Sequence, residues 1–181
     1  MGGPRARRGR VTAGCACMVF AVAAAAWTAP ARDHVSVGVS RALQQSGFLR
    51  YLTPIIAARA GLAVDWQPAG DEEVIRLARG CGVDAILVDS PDEEDRLMRE
   101  GIGGMKFRVM RAETGGQGQF SIIVLNPGAC HAIRFDPALR LLRWLTSSEG
   151  QKAIAAFAPR GVPLYRPNAG SETCTSCESR Q

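Results

Sequence analysis

Histidine is nearly absent from this sequence of 181 residues, which contains only His34 and His131. Histidine is the side chain that most often carries acid–base chemistry near neutral pH. His131 follows Cys130, but adjacent residues on an extended segment point to opposite sides, so the two cannot activate each other directly. The sequence also lacks a nucleophile elbow, a Walker loop and a glycine-rich dinucleotide fingerprint. It therefore predicts a protein that is not an enzyme and uses no cofactor.

Acidic residues are absent from residues 1–31. This segment holds four arginines, then an alanine-rich apolar run over residues 11–27, then Ala29-Pro-Ala31. The order is typical of a secretory signal peptide, and the run is shorter than the roughly 20 residues of a membrane-spanning helix. We expect cleavage after Ala31 and a periplasmic or secreted protein. An uncleaved membrane anchor is the alternative.

The net charge of +5 comes mostly from this leader, whose arginines carry four positive charges. The rest of the chain is therefore close to neutral. A basic face for nucleic acid is not indicated, because such a face needs clustered positive charge in the folded domain.

Two of the six cysteines, Cys15 and Cys17, fall in the leader. Four cysteines in an exported chain can pair in three ways, and the spacing does not choose among them. Redox-active C-x-x-C pairs normally open a helix, whereas the C-x-x-C pair here lies in a polar tail, residues 170–181. A tail disulfide or free thiols are favoured over a redox protein. The four cysteines outside the leader are Cys81, Cys130, Cys174 and Cys177.

Short apolar runs alternate with amphipathic helical patterns after the leader. This alternation predicts an α/β fold, a mostly parallel sheet with helices on both faces. Predicted strands cover residues 35–39, 62–67, 84–88, 106–110 and 120–125, and predicted helices cover residues 47–60, 71–79, 90–101, about 136–145 and 148–157.

The stretch from Val35 to Leu52 reads as a strand, a polar turn and the start of a helix. In open α/β sheets, ligands bind beyond the carboxyl ends of the strands. Helix N-termini there offer free N–H groups to anions. Ser40, Arg41 and Ser46 are therefore candidates to surround an anion.

The chain resembles the tungstate-binding, anion-binding component of bacterial ABC transporters, a family of two-lobed type 2 periplasmic binding proteins. The run Trp144-Leu-Thr-Ser-Ser-Glu-Gly-Gln151 is the most specific match, and the resemblance covers nearly all of the chain after the leader. The other matching stretches are residues 45–54, 61–64, 82–88, 90–91, 99–103, 123–127 and 161–165.

The resemblance implies one lobe of such a protein over residues 32–169, in halves of about 34–111 and 119–166, followed by the tail at 170–181. Family members insert a second lobe between the two strands that correspond to residues 106–110 and 120–125. Only Arg111 to Gln119 separates them here, so about a hundred residues, a typical domain, are missing. Closure of two lobes over a ligand is then impossible within one chain.

The family binds its oxyanion with a Thr/Ser-rich run after the first strand. Here that run is Ser40-Arg41-Ala42-Leu43, in which Arg41 could replace lost donors with a charge-assisted bond. Asp71 and Asp89 follow later strands, and their carboxylates either repel an anion or cap helices and face solvent. The implied ligand-binding residues are Ser40, Arg41, Gly70, Asp71 and Ser90.

Two functions are expected from this resemblance. The first is an exported solute-binding-like protein for a small oxyanion of the tungstate or molybdate class, partnered by an ABC transporter permease. The second is a structural or interaction module that has lost its ligand and forms a homodimer through the face of the missing lobe.

Overall fold

A computed structural model describes residues 33–113 and 118–169 of the chain. The predicted leader and the predicted tail with Cys174 and Cys177 lie outside the described residues. Nearly all of the predicted lobe is therefore described.

One sheet of six strands organises these residues, in the order β2-β1-β3-β5-β4-β6. Each apolar run that predicted a strand forms a strand of this sheet. The observed strands are longer or shorter than the predicted ones by a few residues. The strands are β1 (Asp33–Ser40), β2 (Leu62–Ala69), β3 (Ala85–Val88), β4 (Gly103–Ala112), β5 (Gln119–Leu125) and β6 (Tyr165–Pro167).

The prediction of a mostly parallel sheet is wrong. β1 runs parallel to β2 and β3, but β5 is antiparallel to both β3 and β4, and β6 is antiparallel to β4. Parallel neighbours need a crossover of a dozen or more residues. Only residues 113–118 join β4 to β5, so this pair can only be antiparallel. The α/β class itself is confirmed.

Helices cover both faces of the sheet, as predicted. Four helices pack on one face with a core that includes Phe48, Leu52 and Leu141, and two pack on the other with Val74 and Leu97. No helix of residues 33–113 or 118–169 is both long and apolar enough to cross a bilayer. The helices of the first face are α1 (Arg41–Gln45), α2 (Phe48–Arg59), α5 (Phe135–Thr146) and α6 (Ser148–Ala155), and those of the second are α3 (Asp71–Arg79) and α4 (Pro91–Arg99).

The turn after β1 differs from its prediction, because the short helix α1 fills it. Gly47 then opens α2 with φ of +80°, a left-handed conformation that favours glycine. Gly47 is the N-cap residue of α2, and the Ser46 hydroxyl, one residue earlier, accepts the Phe48 N–H at 3.2 Å.

Two contacts join the two sequence halves at the end of the sheet where β1 and β3 begin. A disulfide links Cys81 to Cys130, with Cα atoms 5.4 Å apart. The buried Asp84 carboxylate accepts the backbone N–H groups of Ser36 and Arg134, both at 2.7 Å. Cys81, Ser36 and Asp84 belong to the first half, and Cys130 and Arg134 to the second. The halves therefore form one folded unit.

Glu94 on α4 is a buried carboxylate, 2% exposed, that packs onto the sheet. One oxygen lies 3.4 Å from the Lys106 ammonium, while Oε1 has no hydrogen-bond partner among the described residues. Burial raises the pKa of Glu94, and its bond to Ser121 and the charge of Lys106 offset only part of that effect. Protonated Glu94 therefore favours folding at acid pH, and this stability is lost as pH rises through its raised pKa.

Glu94→Gln is expected to stabilise the protein at pH 7 by roughly 1 kcal/mol, which raises Tm by about 2–4 °C. The amide avoids the cost of a buried charge, and Lys106 keeps its ion pair with Asp95 at 2.6 Å. Thermal unfolding followed by circular dichroism between about pH 4 and 8 measures this, and the gain should vanish at the acid end.

The matched control is Glu93→Gln, one residue earlier on the same helix. Glu93 pairs with Arg79 and Arg96 at the surface, so its loss should lower stability by about 0.5 kcal/mol or less. A Glu94→Gln protein less stable than wild type at pH 7 would show that the charged form is favoured by the fold.

Candidate functional site

Three parallel strands end together at one edge of the sheet, which we call the carboxyl edge: the ends of β1, β2 and β3 with the residues that follow them. Ser40 at the end of β1 lies opposite Ala69 at the end of β2. Val88 ends β3 beside β1, and pairs with Ser121 near the start of β5. The loops predicted to hold a ligand therefore share one side of the molecule.

Ser40 and Arg41, the first two predicted site residues, have different environments. Ser40 is 4% exposed, and its hydroxyl oxygen accepts the Leu43 N–H at 3.3 Å as the cap of α1. Arg41 is exposed and forms no ion pair with any described residue. Its guanidinium is therefore available to an anion, whereas the Ser40 oxygen is already used within the fold.

Gly70, Asp71 and Ser90 lie at the starts of α3 and α4. Gly70 precedes α3, and apart from its two chain neighbours no described residue has an atom within 4 Å of the position that a Cβ would take. Asp71 and Ser90 line a cleft of about 550 Å³ between the two helices, together with Arg76, Arg79 and Glu93 among others. The fold thus brings Asp71 and Ser90 together, while Ser40, Arg41 and Gly70 do not line that cleft.

The arginines of this cleft are engaged by carboxylates. Arg76 pairs with Glu73, and Arg79 bridges Glu93 at 3.2 Å and Glu100 at 2.9 Å, which ties α3 to α4. The hydrogen bond to Glu100 raises the pKa of Arg79 above its ordinary value. An anion in the cleft would have to compete with these carboxylates for Arg76 and Arg79.

Asp89, which follows β3, brings negative charge to the carboxyl edge. It is half-buried, and a Cβ on Gly118 would lie 3.1 Å from its Oδ2 atom. Burial raises the pKa of Asp89, and the charge of Asp71 raises it further. Asp71 itself is exposed to solvent, whereas Asp89 is half-buried.

Tyr165 and Ser46 complete this side of the edge. Burial raises the pKa of Tyr165; a hydrogen bond to Ser46 lowers it, and the charge of Asp89 raises it. Sequence reasoning did not single out Tyr165 as a site residue. Its place at the end of the matching stretch 161–165 was the only signal in the sequence. The local sequence does not show that Tyr165 lies near Asp89 and Ser46, which are 76 or more positions earlier.

A second cavity, of about 340 Å³, lies at the opposite end of the sheet. It is lined by Ser36, Asp65, Gln67 and the Asp84–Arg134 contact, among others. Gln67 donates to the Ser36 hydroxyl at 2.7 Å, so much of this polar lining is paired within the fold. No group of three His, Cys, Asp or Glu side chains suited to a metal ion occurs within residues 33–113 and 118–169.

Solved structures with the same fold include two proteins named for tungstate. The tungstate-binding protein TupA from Desulfovibrio alaskensis G20 aligns with a TM-score of 0.68 at 15% identity, over 76% of this chain and 99% of its own. The tungstate ABC transporter structure from Geobacter sulfurreducens aligns with a TM-score of 0.64 at 14% identity, over 70% and 100%.

A conserved protein of unknown function from Vibrio parahaemolyticus RIMD 2210633 aligns with a TM-score of 0.61 at 15% identity, over 73% of this chain and 100% of its own. No protein-family model and no curated protein matches the chain. At these identities the likeness shows the fold. The described residues therefore have the fold of a single periplasmic-binding-protein-like lobe.

Proposed function

We propose that this chain is an exported solute-binding-like protein that holds a small oxyanion, of the tungstate or molybdate class, at the carboxyl edge. The observation that carries the proposal is Arg41: an exposed guanidinium, unpaired among the described residues, where parallel strands end. Two proteins that share the fold are named for tungstate. The other proposed ligand-binding residues are Ser40, Gly70, Asp71 and Ser90.

The proposed binding is weak and open to solvent. Two-lobed binding proteins enclose a ligand by hinge closure, whereas residues 113–118 leave no room for a second lobe between β4 and β5. A ligand held from one side keeps much of its hydration and makes fewer bonds. The proposed role is ligand capture without enzymatic turnover.

The proposed organisation is a signal peptide at residues 1–31, the lobe at 32–169 and a polar tail at 170–181. It implies a periplasmic or secreted protein, with an ABC transporter permease as the partner. Comparing the mass of the exported protein with that of residues 32–181 tests the cleavage site. A mature chain that retains residues 1–31 would contradict it.

Arg41→Ala is expected to weaken oxyanion binding about 10- to 100-fold, because it removes a charge-assisted hydrogen bond worth roughly 1.5–3 kcal/mol. Thermal shift with tungstate, molybdate, sulfate and phosphate measures this, since a ligand stabilises the folded state by RT ln(1 + [L]/Kd). Arg143→Ala is the matched control, because Arg143 is also an exposed arginine and lies on α5.

The Tm of the Arg143→Ala protein should rise on addition of anion by as much as the Tm of the wild type. An unchanged shift in Arg41→Ala would place the site elsewhere. No shift of the wild type with any of the four anions at millimolar concentration would contradict oxyanion binding.

A second candidate function is an interaction module that has lost its ligand and dimerises through the carboxyl edge. The observation that favours it is the pair of carboxylates there, Asp71 and Asp89, which disfavours an anion. Sedimentation equilibrium separates the two functions. A dimer that Arg41→Glu dissociates, combined with no anion binding, favours this candidate.

A further inference from the structure

A third cavity, which none of the proposed oxyanion ligands lines, lies along the outer strand of the sheet. β2 is an edge strand, since β1 is its only neighbour among the described strands. Residues of α1 and α2 border a space of about 500 Å³ together with Trp66 of β2. Small-molecule sites commonly have volumes of roughly 300–1,000 Å³. The cavity is lined by Gln44, Gln45, Leu49, Arg50, Thr53 and Trp66.

Trp66 gives this cavity a fixed aromatic wall. Its indole N–H donates to the Thr53 hydroxyl at 2.9 Å, and that hydroxyl donates to the Leu49 carbonyl at 2.7 Å. Trp66 is partly exposed and packs against the core of the first helical face. Because the only polar atom of the indole is already bonded, Trp66 presents ring carbons to a ligand. The ring is held in place before a ligand arrives, which lowers the entropic cost of binding.

Three longer polar side chains line the same cavity. Gln44, Gln45 and Arg50 are exposed, and their side chains form no hydrogen bond or ion pair with any described residue. The Arg50 Nη2 atom lies 3.8 Å from the position that a Cβ on Gly47 would take, so it extends over the start of α2. Each amide offers a donor and an acceptor, and a guanidinium offers paired donors that match a carboxylate. No described Asp or Glu lines the cavity, so Arg50 sets its charge.

These three kinds of group match the parts of a sugar acid in its ring form. The aliphatic face of a pyranose ring packs against an aromatic ring. Its hydroxyls pair with amide donors and acceptors, and its carboxylate pairs with a guanidinium. A simple oxyanion would use Arg50 alone and would leave Trp66 and the two amides without a role.

We propose that this cavity binds a sugar carboxylate, a hexuronic acid unit in the pyranose form. Trp66 stacks against the sugar ring, Gln44 and Gln45 bond its hydroxyls, and Arg50 binds its carboxylate. The binding is non-covalent. It is independent of oxyanion binding at the carboxyl edge, because the two sites share no residue.

Titration calorimetry with D-glucuronate, D-glucose and acetate tests the proposal. Glucuronate is expected to bind at least about tenfold more tightly than the other two, because glucose lacks the carboxylate and acetate lacks the ring. Arg50→Gln should weaken glucuronate binding about tenfold, so that glucuronate binds no more tightly than glucose. Arg59→Gln is the matched control, because Arg59 is an exposed arginine of the same helix that does not line the cavity. It should keep the glucuronate Kd of the wild type.

Tryptophan fluorescence tests the stacking on Trp66 separately. Glucuronate should change the emission of the wild type, and the change should disappear in Trp66→Phe, because Trp144 does not line the cavity. The phenyl ring still stacks, so the calorimetric Kd should rise by only about threefold. An emission change that persists in Trp66→Phe would overturn the stacking. Should Trp66→Phe fail to fold, the ligand series and Arg50→Gln decide the question.

Three further results would overturn the proposal. The first is no binding of glucuronate at up to about 50 mM, and the second is an unchanged glucuronate Kd in Arg50→Gln. The third is benzoate binding more tightly than glucuronate, because a flat aromatic carboxylate would then be the ligand. Tungstate at millimolar concentration should leave the glucuronate Kd unchanged, and competition would place the carboxylate at the carboxyl edge instead. Absence of tungstate binding would contradict the proposed function and leave the glucuronate result intact.

Discussion

Replacing both Cys81 and Cys130 with serine is expected to lower the free energy of unfolding by about 3–4 kcal/mol. The disulfide joins residues separated by 49 positions, so its loss frees a long loop in the unfolded chain. That loop contains β3, α4, β4 and β5, the segment in which the two halves of the sheet meet. Urea denaturation of the wild type and the double variant measures the difference.

Two controls separate the effect on stability of losing the crosslink from the effect of changing the side chains. Reduced wild-type protein should match the double variant, because both lack the crosslink. Cys174→Ser with Cys177→Ser should leave stability within about 0.5 kcal/mol of the wild type. Equal stability of the oxidised wild type and the Cys81, Cys130 double variant would contradict a structural role for the disulfide.

Asp84→Ala should lower the free energy of unfolding by about 3 kcal/mol. Asp84 is 5% exposed, and its carboxylate accepts the N–H groups of Ser36 and Arg134, which lie in different halves of the chain. Removal leaves two backbone donors without their charged acceptor. The adjoining cavity of about 340 Å³ admits water, which limits the loss. Urea denaturation again gives the value.

Asp84→Asn keeps one acceptor oxygen, so it should cost roughly half as much. Asp65→Ala is the control, because Asp65 lines the same cavity but is exposed. Its loss should stay within about 0.5 kcal/mol. Equal effects of Asp84→Ala and Asp65→Ala would show that the bonds of Asp84 do not hold the halves together.

Local features of the fold followed from the sequence. The acidic start and basic end of residues 71–79 predicted α3 with its observed bounds, because those charges match the helix dipole. The apolar run at 120–125 predicted β5 to within one residue. The helix predicted over residues 47–60 is observed as α2, and Gly61 follows it with φ of +67°, a conformation that favours glycine.

Strand direction was mispredicted, although a signal for it was present. The alternation of strands and helices predicted a mostly parallel sheet. The stretch from Arg111 to Gln119 was already too short for a crossover between parallel strands. Its length, which suggested a missing lobe, also required that β4 and β5 run antiparallel.

Only those features of the candidate site that depend on local sequence were predicted. The end of the first strand indicated Ser40 and Arg41, and the family resemblance implied Gly70, Asp71 and Ser90 as well. The cap that Ser40 forms depends on α1, which was predicted as part of a turn. Cysteine spacing left three pairings open, and the choice of Cys130 for Cys81 depends on the tertiary fold. The approach of Tyr165 to Asp89 depends on it in the same way.

An amide NMR titration with tungstate tests ligand binding at the carboxyl edge most directly. The largest shifts are expected at Ser40, Arg41, Gly70, Asp71 and Ser90, while the signals of residues that line the 340 Å³ cavity at the other end of the sheet should not move. Arg41→Ala should abolish the shifts at the same tungstate concentration. Shifts centred on the Asp84 and Arg134 cavity, or no shifts at millimolar tungstate, would contradict the account.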